Sequence, residues 1–313
     1  MDVFLLTLEQ MLLMFMLIAL GLVLKKSHRL PDNAHTVMSK LVVNAFTPAL
    51  MLYSQMTKCT VQNFSEHWSL IITGALVALC GVALSYPLSR LFVKQANYQR
   101  RVYQYAMSFG NFGFMGNFIV LGVFGSDVFF LYGLFTLGMN ILSCSYGLYI
   151  LIPRSKGESF LPHLKKGLLT PPILSILLGM VLGLTGAGEY LPAFFLKALE
   201  SAGNCQGPVA MLLAGFVIGG YNIKEMLLNK KVYAASFLRL ICLPALAVLA
   251  MKLLGADQMT QVLTLIAVGT PLGLNAVVYP SAYGGDPKPG ASMAMISHTL
   301  SVITIPVMYL LLM

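Results

Sequence analysis

The chain has 313 residues, of which 58% are hydrophobic and only 10% are charged, and its mean hydropathy is +0.80. Soluble domains carry about 25% charged residues, so this composition excludes a soluble globule and predicts an all-α membrane protein. The net charge of +9 is spread over separate connections along the chain, which argues against a nucleic-acid partner.

Apolar segments recur along the whole chain. A transmembrane helix needs about 20 predominantly apolar residues, and ten segments approach or exceed that length. We therefore expect ten spans, over residues 3–24, 36–57, 67–93, 102–124, 127–152, 168–187, 193–221, 231–254, 262–283 and 289–312.

The basic residues fall mainly in alternate connections between these spans. Because loops rich in lysine and arginine stay in the cytoplasm, the odd-numbered connections are predicted to be cytoplasmic. Both termini are then external, in a plasma membrane whose lipid surrounds the spans. The residues that carry this pattern are Lys25, Lys26, Arg29, Lys40, Arg90, Lys94, Arg100, Arg101, Arg154, Lys156, Lys165, Lys166, Lys224, Lys230, Lys231 and Lys288.

The two halves of the chain share a sequence pattern. Residues 44–52 and 204–212 both read N-x-x-x-P-x-x-M-L, at an offset of 160, and the same offset relates Gly113 to Gly273. Each half contains five spans, and because five is odd the second half must insert upside down, as in many secondary transporters. The predicted units are a first repeat over 1–153, a short cytoplasmic linker over 154–167 and a second repeat over 168–313.

Spans 4 and 9 are interrupted near their midpoints. Span 4 carries three glycines around Gly113, and span 9 carries Pro271 and Gly273. Glycine costs a helix interior about 1 kcal/mol and proline about 3 kcal/mol, so helix is disfavoured at the centre of both spans. Ordinary kinks or close packing of small residues would also explain the composition of either span alone. Because both breaks are central and related by the repeat, we expect a substrate site where the two spans cross.

Such breaks favour an anionic substrate. The N-terminus of each half-helix presents N–H groups and partial positive charge, which suits a carboxylate. Nearby asparagine amides can bind the freed backbone, the substrate or both, and an amide that faced lipid would be costly. The candidate substrate-binding residues are Asn111, Gly113 and Asn117 of span 4, Pro271, Gly273 and Asn275 of span 9, and Asn44 and Asn204 of the repeated motif.

At these positions the sequence resembles the auxin efflux carrier family. The resemblance covers essentially the whole chain and rests on short motifs, which are Gly110-Asn111 and Met115-Gly116 in span 4, Pro271-x-Gly273 and Ala282-Tyr283 in span 9, and Arg239 followed by Pro244 in span 8. It implies a ten-helix fold like that of the bile acid:sodium symporters, with spans 1, 2, 6 and 7 as a scaffold and spans 3–5 and 8–10 as a moving core. It also implies transport of a small organic anion, either auxin-like or a carboxylate such as malate or malonate, by a homodimer joined through the scaffold.

The chain departs from this family at two places. Family members often carry a proline directly after the Met-Gly of span 4, where this chain has Asn117-Phe118. The long cytoplasmic loop of many plant members is also absent. The first departure predicts a looser break in span 4.

Three of the ionisable residues within the predicted spans are candidates for function, because ionisable residues inside the membrane are often functional. His298, near the middle of span 10, is a candidate for proton coupling, or it is a neutral histidine bonded to neighbouring hydroxyls. Glu200 in span 7 is a candidate site for a proton or a cation such as sodium, or it snorkels or pairs with Lys197. Arg239 in span 8 either snorkels to the cytoplasmic surface or supplies counter-charge to the substrate.

Other functions have less support in the sequence. A sodium-coupled symporter of the bile-acid type would need acidic and hydroxyl ligands at the crossing, and span 9 has no carboxylate near Asn275. A channel would be distinguished by faster turnover. An intramembrane enzyme would need a nucleophile–base pair or metal ligands at matched depth, and the chain shows neither HExxH nor G-x-S-x-G. The five cysteines are scattered singly and predicted to be free and buried, so no catalytic residue, metal or cofactor is expected.

Overall fold

The computed structural model describes residues 3–152, 161–283 and 285–313. Within these ranges the chain is helical, and the β-structure is limited to one isolated antiparallel bridge. The helices are α1 Val3–Lys26, α2 Ala34–Lys58, α3 Val61–His67, α4 Ser69–Phe92, α5 Tyr98–Ser108, α6 Phe112–Leu151, α7 Leu161–Leu168, α8 Pro171–Leu184, α9 Ala193–Gly219, α10 Ile223–Leu227, α11 Lys230–Leu253, α12 Gln258–Gly269, α13 Asn275–Tyr283 and α14 Lys288–Leu312.

Seven helices in the described part of the chain are long and apolar enough to cross a membrane, namely α1, α2, α4, α6, α9, α11 and α14. The shorter helices α8 and α12 are also apolar. Within α6 the chain turns at Gly125, whose φ of 82° lies in the left-handed region that glycine adopts without a Cβ clash. This turn falls between the predicted spans 4 and 5, so the helix bounds are compatible with ten spans.

Large apolar side chains cover the outer surface of the long helices. Met16 of α1 is 70% exposed, Leu91 of α4 is 71% exposed and Ile303 of α14 is 67% exposed. Soluble monomers rarely expose apolar patches of this extent, whereas a surface in contact with hydrocarbon must be apolar. The chain is therefore an all-α integral membrane protein.

Glycines allow two helix pairs to pack with their backbones in contact. Gly21 of α1 lies against the backbone of Leu212, and Gly215 of α9 lies against the backbone of Ile18. Gly179 of α8 lies in the same way against α2. A Cβ at any of these positions would overlap the facing backbone, so α1 with α9 and α2 with α8 form tightly packed pairs.

Two of the long helices contain a π turn shortly before a proline. Val42–Phe46 of α2 precede Pro48, and Leu238–Cys242 of α11 precede Pro244. Proline has no N–H group, and its ring collides with the carbonyl four residues earlier in a regular α-helix. The wider turn gives the ring room, and it also rotates the side chains on its two sides relative to a regular helix.

The predicted linker is only partly described. Residues 154–160, with the basic residues Arg154 and Lys156, lie outside the described residues. Leu161–Leu168 form the short helix α7, which packs against a π turn at Ser143–Gly147 of α6. The repeat bounds at 153 and 168 remain predictions.

All five cysteines have free thiols. Cys59 is buried, and Cys144 and Cys242 are half-buried, but Cys80 and Cys205 are exposed. The prediction that all five are buried is thus wrong for two of them. Apolar neighbours indicate burial in a soluble protein, but on this chain they also occur on the surface that faces lipid.

Candidate functional site

Two interrupted helices cross in the middle of the fold. The chain is extended between α5 and α6 and again between α12 and α13, and the two extended segments lie antiparallel. Gly110 and Leu272 form the bridge, and the N–H of Asn111 donates to the carbonyl oxygen of Pro271 at 2.8 Å. The two extended segments therefore pair with each other through backbone groups that have no partner in a helix. The predicted crossing of spans 4 and 9 is present.

The first break lies at residues 109–111, just before its predicted centre at Gly113. Gly113 and Gly116 instead belong to the first turn of α6. Gly116 leaves room for the Tyr132 side chain, whose hydroxyl donates to the carbonyl oxygen of Phe112 at 3.1 Å. The glycines after the break thus serve close packing, which was one of the two interpretations of their presence.

Two glycines let the extended segments approach each other. A Cβ on Gly110 would lie 2.5 Å from Nη2 of Arg239 and 2.7 Å from the carbonyl oxygen of Thr270. A Cβ on Gly273 would lie 2.9 Å from the carbonyl oxygen of Phe109. Real Cβ atoms essentially never come closer than 3.0 Å to such atoms. The crossing therefore requires glycine at both positions.

Helix α14 packs against the crossing and forms hydrogen bonds with both crossed segments. The N–H of Leu272 donates to Oγ of Ser297 at 3.1 Å, and the side chain of Asn111 bonds Nε2 of His298 at 2.9 Å. Nδ1 of His298 lies 2.7 Å from the carbonyl oxygen of Ala294, which can only accept. The histidine is thus satisfied by an amide and a backbone carbonyl, and the prediction of hydroxyl partners is wrong.

A cavity of about 740 Å³, counting its open mouth, lies beside the crossing. Helices α2 and α8 form one wall, and α6 and α13 form the other. The first turns of α6 and α13 both border it, so the N-termini of the two half-helices face the same space. The lining residues are Val43, Thr47, Met51, Phe112, Gly113, Phe114, Asn117, Asn140, Ser143, Cys144, Leu148, Thr170, Pro172, Ile176, Asn275 and Tyr279.

Three polar atoms on the cavity wall need a hydrogen-bond partner. They are Oγ1 of Thr47, Nδ2 of Asn117 and Oδ1 of Asn275, and each is buried without a partner among the described residues. A buried polar group left unsatisfied costs about 1–3 kcal/mol. The three residues come from α2, α6 and α13 and line the same cavity, so a ligand there is a candidate partner for each of these atoms.

Arg239 lies at the crossing but outside this cavity. It is only 2% exposed, and its Nη1 donates to the carbonyl oxygen of Met107 at 3.0 Å. The prediction that Arg239 snorkels to the surface is therefore wrong. Its guanidinium is placed where α5 and α12 end, and helix C-termini carry partial negative charge. The positive charge thus balances two helix ends on the far side of the crossing from the cavity.

The structure sorts the six predicted residues of the two breaks into two groups. The members of one group line the cavity, and they are Gly113, Asn117 and Asn275. The members of the other form the crossing itself, and they are Asn111, Pro271 and Gly273.

The remaining predicted residues lie elsewhere. Asn44 is exposed and donates to the carbonyl oxygen of Lys40 at 2.9 Å, so it does not face the cavity as expected. Asn204 is also exposed and lies with Glu200 in a separate cavity. Tyr53 lines the same cavity as Glu200. The residues of α2 that line the cavity beside the crossing, Val43, Thr47 and Met51, are spaced four apart and share one helix face, and Asn44 lies on a different face.

Several polar residues near the cavity were not predicted from the sequence. Thr47 and Asn140 line it, and Nε2 of Gln206 donates to the carbonyl oxygen of Gly113 at 3.0 Å. Gln206 lies inside the repeated motif at 204–212, so that motif located the right segment but the wrong amide. Thr47 directly precedes the proline of the matching motif.

An ion pair joins α2 to α6 at another edge of the fold. Nζ of Lys58, the last residue of α2, lies 2.6 Å from Oδ1 of Asp127. Asp127 follows the turn at Gly125 within α6. The pair therefore connects a wall helix of the cavity to the helix that carries one of the two breaks.

Comparison with known proteins adds a family and two relatives. Residues 6–309 match the model of a family described as membrane transport protein. The chain is 23% identical over 300 residues to an uncharacterized transporter of Methanocaldococcus jannaschii, covering 95% of this chain and 96% of the relative. It is 21% identical over 301 residues to an uncharacterized transporter of Methanothermobacter thermautotrophicus, covering 95% and 96% of the two chains.

Proposed function

Since this chain belongs to the auxin efflux carrier family of membrane transport proteins, we propose that it is a secondary transporter that moves a small organic anion by alternating access. One observation carries the proposal. Two broken helices cross, and the N-termini of the half-helices α6 and α13 border one cavity. Helix N-termini attract anions because their N–H groups are unpaired and their dipoles are positive.

The polar atoms of the cavity favour an anion that also carries a hydrogen-bond donor. Nδ2 of Asn117 can only donate, and the hydroxyl of Thr47 can donate or accept, so both suit a carboxylate. Oδ1 of Asn275 can only accept, so it suits a hydroxyl or N–H of the substrate. Malate-like hydroxyacids and auxin-like acids with a ring N–H both have this combination.

The position of the cavity supports a moving-core mechanism. One wall consists of α2 and α8, which pack closely at Gly179. The other wall consists of α6 and α13, each of which begins directly after one of the crossed segments. Displacement of the second wall against the first would open the cavity to the opposite face while the crossing stays intact. The two inverted repeats, the homodimer and the external termini expected from the sequence belong to this proposal.

Arg239 disfavours the sodium-coupled alternative. Its guanidinium already supplies a fixed positive charge at the C-terminal ends of α5 and α12. A sodium ion at the same helix ends would be repelled by that charge. We therefore propose that the anion moves without sodium, either alone or with a proton.

Uptake into proteoliposomes tests the proposal. Radiolabelled malate should accumulate under an imposed gradient, and replacement of sodium by potassium should change the rate less than about twofold, a difference below 0.5 kcal/mol. Malate should compete at least about threefold better than succinate, which lacks only the hydroxyl that Asn275 would accept. Failure of every mono- and dicarboxylate and of indole acids to enter would reject an organic anion carrier.

A further inference from the structure

A second, larger cavity lies on the far side of the crossing. Its volume is about 1640 Å³ counting its open mouth, and it runs between α4 and α11. It extends along α4 from Ser69 to Leu84 and along α11 from Arg239 to Leu254. Fifteen residues of α-helix span about 22 Å, so the cavity is a long groove parallel to the two helices.

The walls of this groove are apolar, and it opens sideways to the surface that faces lipid. Leu76 of α4 is 56% exposed and Leu246 of α11 is 54% exposed, and both lie on the groove. Polar residues occur mainly at the end remote from the crossing, where Ser69, Asp257 and Thr260 lie. A guest in this groove must therefore be largely apolar along most of its length.

The inner end of the groove is closed by a charged side chain. Arg239 borders the groove there and is 2% exposed. Its Nη1 donates to Met107, but its Nε and Nη2 have no acceptor within the described residues. In general, Nε–H and one N–H of Nη2 lie along one edge of a guanidinium, and that edge pairs with both oxygens of a carboxylate. In Arg239 both nitrogens are buried and Nη2 lies beside Gly110, so a carboxylate reaches this edge only if side chains at the inner end of the groove move.

We propose that the groove binds an amphipathic carboxylic acid with a long acyl chain, such as a fatty acid. The carboxylate bonds Nε and Nη2 of Arg239, and the acyl chain lies between α4 and α11. A small dicarboxylate does not fit this site, because its second charge would lie against apolar walls. The site is separate from the first cavity and does not depend on the proposed transport function, since the crossed segments lie between Arg239 and Asn275.

Equilibrium binding of radiolabelled laurate to the purified protein in lipid nanodiscs tests this site. Unlabelled laurate should displace the probe, and the methyl ester should do so at least about tenfold more weakly, because it cannot form the charged pair. Ala247→Trp, which fills the groove, should abolish saturable binding. Leu249→Trp, on the same helix but not on the groove, should leave binding unchanged.

Two further variants test whether the carboxylate binds at Arg239. Arg239→Gln should weaken laurate binding at least about tenfold, and Asn275→Ala in the first cavity should leave it unchanged. If Arg239→Gln does not fold, the comparison of laurate with its methyl ester and the Ala247→Trp variant remain as tests of the proposal. Equal binding of acid and ester, full binding by Ala247→Trp, or loss of binding in Asn275→Ala would each overturn the proposal.

Discussion

The side chains of Asn111 and His298 meet at 2.9 Å although 187 positions separate them in the chain. Because Nδ1 of His298 faces a backbone carbonyl, Nδ1 carries the proton and Nε2 accepts from the Asn111 amide. The contact fixes the neutral form of the imidazole and links α14 to the crossing. His298 does not line the first cavity. A structural role at the crossing explains this geometry better than a role as proton carrier.

We expect His298→Ala to lower the free energy of unfolding by about 1–3 kcal/mol, since the buried Asn111 amide loses its acceptor. His298→Gln keeps an acceptor and should recover most of that loss. Thermal unfolding in detergent measures both. His298→Gln should also keep the pH profile of uptake, and a flattened profile with unchanged stability would instead identify His298 as the coupling group.

Four asparagine variants, two inside the first cavity and two outside it, test the predicted substrate site. Asn117→Ala and Asn275→Ala each remove a polar atom that the substrate should satisfy, so each should raise the apparent KM for the anion at least about fivefold. Asn44→Ala and Asn204→Ala alter exposed amides away from that cavity. They should change the apparent KM less than about twofold. Initial uptake rates over a concentration series give the values. The site assignment fails if the two pairs behave alike.

Gly110→Ala should prevent the crossing from forming. The added methyl would overlap the carbonyl oxygen of Thr270 and Nη2 of Arg239, so we expect loss of uptake and a destabilisation of at least about 2 kcal/mol. Gly113→Ala, three residues later, is the control, because its nearest foreign atom would be at an ordinary 3.9 Å. Thermal unfolding of both variants compares the two positions, and uptake is measured for Gly110→Ala alone, because Gly113 lines the first cavity. Wild-type behaviour of Gly110→Ala is incompatible with the close approach described above.

The ion pair between Lys58 and Asp127 should break and re-form if α6 moves against α2. In a background without native cysteines, joining Lys58→Cys to Asp127→Cys with a bifunctional methanethiosulfonate cross-linker should stop uptake, and reduction should restore it, because such a linker bridges two cysteines that lie too far apart for a direct disulfide. The control is Lys25→Cys with Asp32→Cys, which replaces an ion pair within the connection of α1 to α2. Undiminished uptake by the fully cross-linked Lys58–Asp127 pair would show that this edge does not move.

The sequence was sufficient to predict the crossing but not the details of its packing. Glycine and proline are costly inside helices, so the breaks around Gly113 and Pro271 could be located to within a few residues. The sequence did not show which residues would meet at the breaks, because these contacts join segments that are distant in the chain. The bond of Asn111 to His298 and the burial of Arg239 behind Gly110 have no signal in local periodicity.

Asn44 was expected to face the cavity, but the residues of α2 that line it, Val43, Thr47 and Met51, are spaced four apart on another face of the helix. The sequence does not distinguish these faces, because side chains that face lipid and side chains that are buried are both apolar. The repeated motif could therefore indicate the right helix without indicating the right face.

The antiparallel bridge between Gly110 and Leu272 has a consequence for biogenesis. The first break enters the bilayer during synthesis long before its partner segment leaves the ribosome, and until then its backbone groups have no protein partner at that depth. Exposed backbone in hydrocarbon costs several kcal/mol for each group, so the nascent first half is metastable. The crossing therefore forms only after the C-terminal half has inserted, and a chain terminated before Pro271 cannot complete it.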